Sequence, residues 1–202
     1  MGPVERVPER VRLRRVSRSA RETSALGARL GRLLAAGDLV ALYGELGTGK
    51  TQLVRGACQG ARVPPEQVAS PSFAIVATYA GRLPVHHADL YRVADFDELY
   101  GTGFLDLLGG EGATLVEWAD RVPEALPRDR LEIHLSHDPD RPAARRLELV
   151  GTGPRHVALA RALARGRRTK GRRPGPSPRS GAGRARRSRR RGSSRRAPRG
   201  RR

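Results

Sequence analysis

One segment constrains this chain more than any other. Gly44-Glu45-Leu46-Gly47-Thr48-Gly49-Lys50-Thr51 stands between the apolar run Leu39 to Tyr43 and a helical stretch from Lys50 to Gly60. The spacing Gly-x-x-x-x-Gly-Lys-Thr needs its glycines because the backbone must wrap closely around phosphate oxygens, with several N–H groups pointing into one nest at a helix start. Lys50 is placed to bridge the β- and γ-phosphates of a nucleoside triphosphate, and Thr51 to offer its hydroxyl to Mg²⁺. This Walker A pattern, with a buried strand before it and a helix after it, predicts an α/β P-loop domain. The phosphate-contacting set is Glu45, Leu46, Gly47, Thr48, Gly49, Lys50, Thr51 and Gln52.

Other elements fall in place around this unit. Val11 to Val16 reads as a short strand. Ser19 and Glu22 have the Ser-x-x-Glu spacing of a capping box, and Leu26, Leu30, Leu33 and Leu34 form one stripe behind it, with Gly37 as a left-handed cap. Ile75 to Tyr79 and Leu83 to His87 read as strands joined by a turn at Ala80-Gly81. Helical segments follow near Asp95 to Tyr100 and Phe104 to Leu108. Thr114 to Glu117 is a buried strand ending in a carboxylate. Leu131 to Leu135 and Arg146 to Val150 alternate with period two, and His156 to Arg165 reads as a final helix.

Charge separates the chain into unlike parts. The formal net charge is +20, yet 18 of the 40 Lys/Arg lie in residues 165–202, where no Asp or Glu occurs. Residues 1–164 therefore carry 22 cations against 20 anions, a net charge near +2. Three segments are expected: an N-terminal stretch 1–18 that is partly ordered, a P-loop domain 19–164, and a tail 165–202 of Arg, Gly, Ser, Pro and Ala. The tail has no apolar surface to offset its ordering entropy and is expected to be disordered. The single cysteine, Cys58, suits a reducing compartment, and no apolar run approaches the roughly 20 residues of a membrane span. A soluble cytoplasmic protein with no membrane partner is expected.

Three clusters stand where a nucleotide hydrolase needs them. Ser70-Pro71-Ser72-Phe73 offers hydroxyls in a loop before a strand, as a switch loop does. His87-Ala88-Asp89-Leu90-Tyr91-Arg92 follows a strand end, and Asp89 is a candidate to orient water or to meet a metal through water; a surface ion pair with Arg92 is the plainer reading. Leu115-Val116-Glu117-Trp118 has the Walker B arrangement, in which Glu117 holds Mg²⁺ from the strand beside the P-loop strand, with Trp118 read as core packing. His86 and His87 are adjacent on a strand and point to opposite faces, so they are read as packed side chains and not as a metal pair.

In this order the segments resemble one family, the bacterial ATPase subunit of tRNA threonylcarbamoyladenosine biosynthesis (TsaE, also called YjeE). The likeness rests on Gly-Glu-Leu-Gly-Thr-Gly-Lys-Thr at 44–51, Ser-Pro-Ser-Phe at 70–73, His-x-Asp-Leu-Tyr-Arg at 87–92 and Val-Glu-Trp at 116–118, with Glu98-Leu99 and Gly103 in support. It spans about 19–151. It implies a single P-loop α/β domain with a mostly parallel sheet flanked by helices. It also implies an ATP- and Mg²⁺-dependent hydrolase, weak alone and activated by two partner proteins, TsaD and TsaB, which attach threonylcarbamoyl to the adenosine beside the tRNA anticodon. Carried onto this sequence, Lys50 contacts phosphate, Thr51 and Glu117 hold Mg²⁺, Asp89 acts at the hydrolytic centre, and Ser70 and Ser72 form the switch-like loop. Ser19, Thr23 and Arg146 would flank the adenine. Ser72 stands where the family usually has threonine, which keeps the hydroxyl.

Two other readings are open. A small-molecule kinase shares the P-loop, but between Asp120 and Val150 the arginines are scattered and no lid helix pair is evident. A polyanion-binding protein acting through its tail would bind by counterion release, reaching tRNA directly as well as through the complex. The tail lacks the interleaved aromatics of base-stacking proteins, and the plainer reading is an inert low-complexity extension, a composition that out-of-frame reading of GC-rich DNA would also give.

Overall fold

Seven strands in the order β1-β7-β6-β2-β5-β4-β3 form one sheet in the computed structural model, which describes residues 9–72 and 74–165. The strands are β1 (Arg10–Ser17), β2 (Leu39–Tyr43), β3 (Val76–Tyr79), β4 (Val85–Asp89), β5 (Ala113–Glu117), β6 (Leu131–Asp138) and β7 (Arg141–Thr152). The helices are α1 (Ala20–Leu33), α2 (Lys50–Gly60), α3 (Phe96–Tyr100) and α4 (Gly153–Ala164). The Arg-rich tail beyond Arg165, read as disordered, lies outside the described residues, as do residues 1–8 and Phe73. Among the described residues no helix is long and apolar enough to cross a membrane.

The parallel part of the sheet is its centre, β6-β2-β5-β4, and both flanks run antiparallel. Period two distributes the core. Val40 and Leu42 of β2 face one layer with Leu30, Leu53, Leu115, Ile133 and Leu149, whereas Leu39 and Ala41 face the other with Leu90, Leu99, Phe104 and Val116. β4 starts and ends two residues later than the sequence suggests, so Asp89 is its last residue and lies in register with Glu117 of β5. Ile75 is outside β3 because its φ of 62° breaks the extended backbone.

Helix α1 begins as predicted, with Ser19 Oγ accepting from the Glu22 amide at 3.2 Å, while the Glu22 carboxylate accepts from the amide of Arg18 at 2.8 Å. Gly37 does not cap it. The helix ends at Leu33, and Gly37, at φ 78°, makes the turn into β2. Leu33, counted with the apolar stripe, is exposed.

The contact between α1 and α2 was not foreseen. Gly27 and Gly31 on α1 and Gly56 and Gly60 on α2 each repeat at i, i+4, so each helix presents one bare strip. The two helices run in the same direction, backbone on backbone. A β-carbon at Gly31 would lie 1.9 Å from the Ala57 carbonyl oxygen, and one at Gly27, 2.1 Å from that of Leu53. From the other side, β-carbons at Gly56 and Gly60 would each lie 2.1 Å from the carbonyl oxygens of Ser24 and Ala28. The close approach brings the first turn of α1 beside the start of α2, where Thr23 Cγ2 is 3.7 Å from the β-carbon position of Gly49.

At the other end of β2, Asp38 is buried. Its carboxylate accepts from the Ala35 amide at 2.8 Å and from Arg155 Nε at 2.8 Å, and His156 Nε2 accepts the Leu39 amide at 3.4 Å. Burial pushes the His156 pKa below its ordinary 6.5, against the opposite pull of Asp38, and burial acts the same way on His86.

Two predictions follow from this packing. Gly31→Ala gains at most about 1 kcal/mol of helix propensity, but forcing the helices apart costs roughly 1–3 kcal/mol, so the denaturant midpoint is expected to drop. The second concerns pH. A histidine whose folded pKa lies below 6.5 takes up its proton more readily in the unfolded chain, so stability is complete above 6.5 and declines as pH falls below it. Urea unfolding at a series of pH values should show this decline, and it should be shallower in His156→Gln.

Candidate nucleotide site

The glycine loop follows β2 without a gap, and three of its residues lie at positive φ: Gly44 at 136°, Gly47 at 78° and Gly49 at 100°. Gly44 also has no space for a side chain, since a β-carbon there would be 2.3 Å from the Leu135 carbonyl oxygen. Gly49 in the left-handed region stands at the N-terminus of α2, so the loop curls over the helix start and aims its first amides at one point. Thr48 is buried, and its hydroxyl donates to the Glu45 carbonyl at 2.8 Å, closing the loop on itself.

Lys50 is folded back into this loop. Its ammonium donates to the carbonyls of Gly44 at 2.6 Å and Glu45 at 3.0 Å, and lies 3.6 Å from the centre of the Trp118 ring. Burial pushes its pKa below the usual lysine value, while the carboxylates of Glu117, Asp120 and Asp89 pull it back up.

Glu117 is the hub of the polar residues. Its side chain is only 2% exposed and each oxygen has a partner: Oε2 accepts from the Thr51 hydroxyl at 2.8 Å, and Oε1 from His87 Nε2 at 2.9 Å. His87 is fully buried and packs near the Tyr79 ring, and its Nδ1 has no hydrogen-bond partner among the described residues, so Glu117 is the ring's hydrogen-bond partner there. The two histidines do point to opposite faces, with His86 Nδ1 bonded to the Thr78 hydroxyl at 2.9 Å. The His87–Glu117 pair is absent from the sequence reading because the partners belong to different strands. The only signal was a histidine two residues ahead of Asp89 in an apolar strand.

Asp89 gathers the second group. Its Oδ2 accepts from Ser70 Oγ at 3.1 Å and Ser72 Oγ at 2.9 Å, and its Oδ1 from the Tyr91 amide at 3.2 Å. Trp118, at φ 58°, turns the chain sharply after β5 and packs its ring against Tyr91 at 4.9 Å, so it walls the site as well as packing.

A cavity of about 380 Å³ joins these parts, and Leu46, Gly47, Gly49, Lys50, Thr51, Ser70, Ser72, Asp89 and Glu117 line it together with Tyr91 and Trp118. Six expected residues do not line it. Glu45 and Thr48 support the loop from behind, Gln52 lies on α2, Ser19 caps α1, and Thr23 bonds Ser17 Oγ at 2.8 Å while packing beside Gly49. Arg146, expected beside the adenine, is half-exposed and pairs with Asp138 at 3.2 Å and Asp140 at 3.7 Å. Its neighbour Arg145, which the sequence did not single out, is the arginine that touches the loop: Nε donates to the Thr48 carbonyl at 3.1 Å and Nη2 to that of Gly47 at 3.2 Å.

The donor set fits a hard dication held together with phosphate. The Thr51 hydroxyl and the Glu117 carboxylate converge within 2.8 Å, all oxygen, at the mouth of an amide-lined loop. Among the described residues no three His, Cys, Asp or Glu side chains group into a metal cage. A hydroxyl and one or two carboxylates are the protein share of a Mg²⁺ site that takes its other ligands from water and phosphates.

The family model described as "Threonylcarbamoyl adenosine biosynthesis protein TsaE" matches residues 17–147, a stretch that contains every element of this site. The chain belongs to the TsaE family. Curated relatives agree. A tRNA threonylcarbamoyladenosine biosynthesis protein TsaE of Treponema pallidum is 39% identical over 123 residues, 61% of this chain and 90% of that protein. The TsaE of Bacillus subtilis is 34% identical over 145 residues, 71% of this chain and 89% of that protein. The crystal structure of Bacillus subtilis YdiB superposes with a TM-score of 0.61 at 28% identity, covering 79% of this chain and 97% of that one. As a TsaE-family protein the chain is placed in tRNA threonylcarbamoyladenosine biosynthesis, and its α/β fold is that of YdiB.

Removing His87 leaves a carboxylate oxygen of Glu117 buried and unpaired. His87→Leu is therefore expected to cost roughly 3–5 kcal/mol. In the Glu117→Gln background the cost should be clearly smaller, because no buried charge is stranded. A double-mutant cycle of denaturant unfolding measures the coupling, and additive losses would show that the pair does not hold the site.

Proposed function

We propose that this chain is a cytoplasmic Mg²⁺-dependent ATPase, weak alone and activated by TsaD and TsaB, whose hydrolysis of ATP drives or resets the complex that modifies tRNA. The observation that carries the reading is the Thr51–Glu117 hydrogen bond of 2.8 Å at the mouth of the glycine loop. It joins the residue after the Walker lysine to the end of the neighbouring strand, the pairing that P-loop hydrolases use to hold their metal.

Each residue then has a task. The loop amides and the start of α2 bind the phosphates, and Lys50 exchanges the carbonyls of Gly44 and Glu45 for phosphate oxygens. Thr51 and Glu117 hold Mg²⁺, which supplies charge neutralisation on the phosphate oxygens when bound with ATP. His87 keeps the Glu117 carboxylate turned towards Thr51. Asp89, with one oxygen shared by Ser70 and Ser72, is set to accept a proton from, or to orient, an attacking water. The site opens towards Tyr91 and the exposed Leu46, a rim that partner proteins can complete. Single free Cys58, buried in the core with its thiol pushed up to about 12, is chemically quiet and suits a reducing compartment.

ATP turnover with and without TsaD and TsaB tests the proposal. Wild type is expected to accelerate when both partners are present. Glu117→Ala should lose about 100-fold or more in turnover, yet still bind nucleotide, whereas Lys50→Ala should lose binding. Turnover indifferent to the partners would remove their assigned role, and transfer of the γ-phosphate to a small acceptor would favour a kinase.

A further inference from the structure

Arg145 reaches the glycine loop from outside the cavity, and its position is unusual in three ways. It lies on β7, in register between Ser17 of β1 and His137 of β6, at the corner where the antiparallel flank meets the loop. Among the described residues its guanidinium donates only to carbonyls: Thr48 O at 3.1 Å through Nε, Gly47 O at 3.2 Å through Nη2, and Pro142 O and Ala144 O, both at 2.8 Å, through Nη1. No carboxylate of the described residues lies at ion-pair distance, in contrast to Arg146, which is bound by Asp138 and Asp140.

A planar trans peptide ties the direction of each carbonyl to the amide that follows it, the two pointing opposite ways. Drawing the Gly47 and Thr48 carbonyls towards Arg145 therefore turns the amides of Thr48 and Gly49 away from it, to the inner side of the loop. Gly47 and Gly49, at φ 78° and 100°, have no side chain to hold these peptide planes, and inside the loop the Thr48 amide reaches the Glu45 carbonyl only at 3.4 Å, so the Arg145 fork adds a second hold on the first plane and an outer hold on the next. The rigid, planar fork of arginine suits this task, since one group fixes two planes at once. Its charge, uncompensated by an acid, also stands behind the loop and favours an anion in front of it.

We infer that Arg145 is a positioning residue for nucleotide binding: it pre-organises the phosphate-binding amides of the Gly44–Thr51 loop without touching the nucleotide. This rests on the nucleotide reading proposed above. β7 and the β1–α1 corner, where Ser17 bonds Thr23 at 2.8 Å and Thr23 packs beside Gly49, then act as one brace for the loop. The antiparallel flank of the sheet thereby acquires a role in ligand affinity.

The test is the affinity of the full chain for ADP, read from the fluorescence of Trp118, the only tryptophan, which lines the cavity. Arg145→Met is expected to weaken ADP binding at least tenfold while the thermal midpoint stays within a few degrees of wild type. Arg145→Lys, which keeps the charge but can hold only one carbonyl well, should fall between. Added guanidinium ion at millimolar concentration should restore part of the ADP affinity of Arg145→Met, an effect that a loss of general stability would not show. ADP affinity of Arg145→Met within twofold of wild type would overturn the inference. Should Arg145→Met fail to fold, Arg145→Lys decides: wild-type affinity overturns the inference, and a threefold or greater loss with a native circular dichroism spectrum supports it. If wild type itself does not bind ADP, the nucleotide reading fails and takes this inference with it. If wild type binds and only the Arg145 variants are unaffected, the nucleotide reading stands and this inference alone falls.

Discussion

The parallel pairing of β2 with β5 is the contact on which the site depends. Leu42 is in register with Glu117, so the strand that launches the glycine loop and the strand that carries the buried carboxylate end side by side. From that one alignment Thr51, one residue into α2, comes within 2.8 Å of Glu117. The next pairing, β4 with β5, adds Asp89 abreast of Glu117 and sets His87 to grip it from within the sheet. A slip of one residue in either pairing would turn these side chains to the opposite face and scatter the site.

A second constraint acts on the helices. The glycine strips of α1 and α2 allow the two backbones to touch, and this depth of contact carries the first turn of α1 up to the loop. The contact is steric, so it tolerates no added methyl. It also explains why Thr23 is fully buried although it lies one residue beyond the capping box, at a helix start that would otherwise be wet. With Arg145 on the far side, the loop is bounded by β1, α1 and β7 as well as by its own strand and helix.

Electrostatically the site balances opposed groups in a buried setting. Lys50 is partly desolvated and is held by carbonyls, an aromatic face and the field of Glu117, Asp120 and Asp89. Two carboxylates and one ammonium around a single cavity leave room for added positive charge, which is what a metal–nucleotide complex brings. Every oxygen of Glu117 already has a donor from the protein, so its geometry is set before any ligand arrives.

The sequence alone determined what is local. The strand–loop–helix order around Gly44–Thr51, the cap at Ser19, the strand ending at Glu117 and the hydroxyl loop at Ser70 and Ser72 were all legible, because each is written in a few adjacent residues through glycine tolerance, capping chemistry or period-two burial. Asp89 was legible as an acid near a strand end, though not as the last residue of that strand. Tertiary structure decided everything that joins distant segments. It brought Arg145 to the loop, because alternation on β7 sends neighbouring side chains to opposite faces and the register, not the composition, determines which face meets the loop. It paired His87 with Glu117, which only the β4–β5 alignment can do. And it turned four helical glycines, which weaken a helix taken alone, into the contact that seats α1 against the site, since their value lies wholly in the backbone that packs on them.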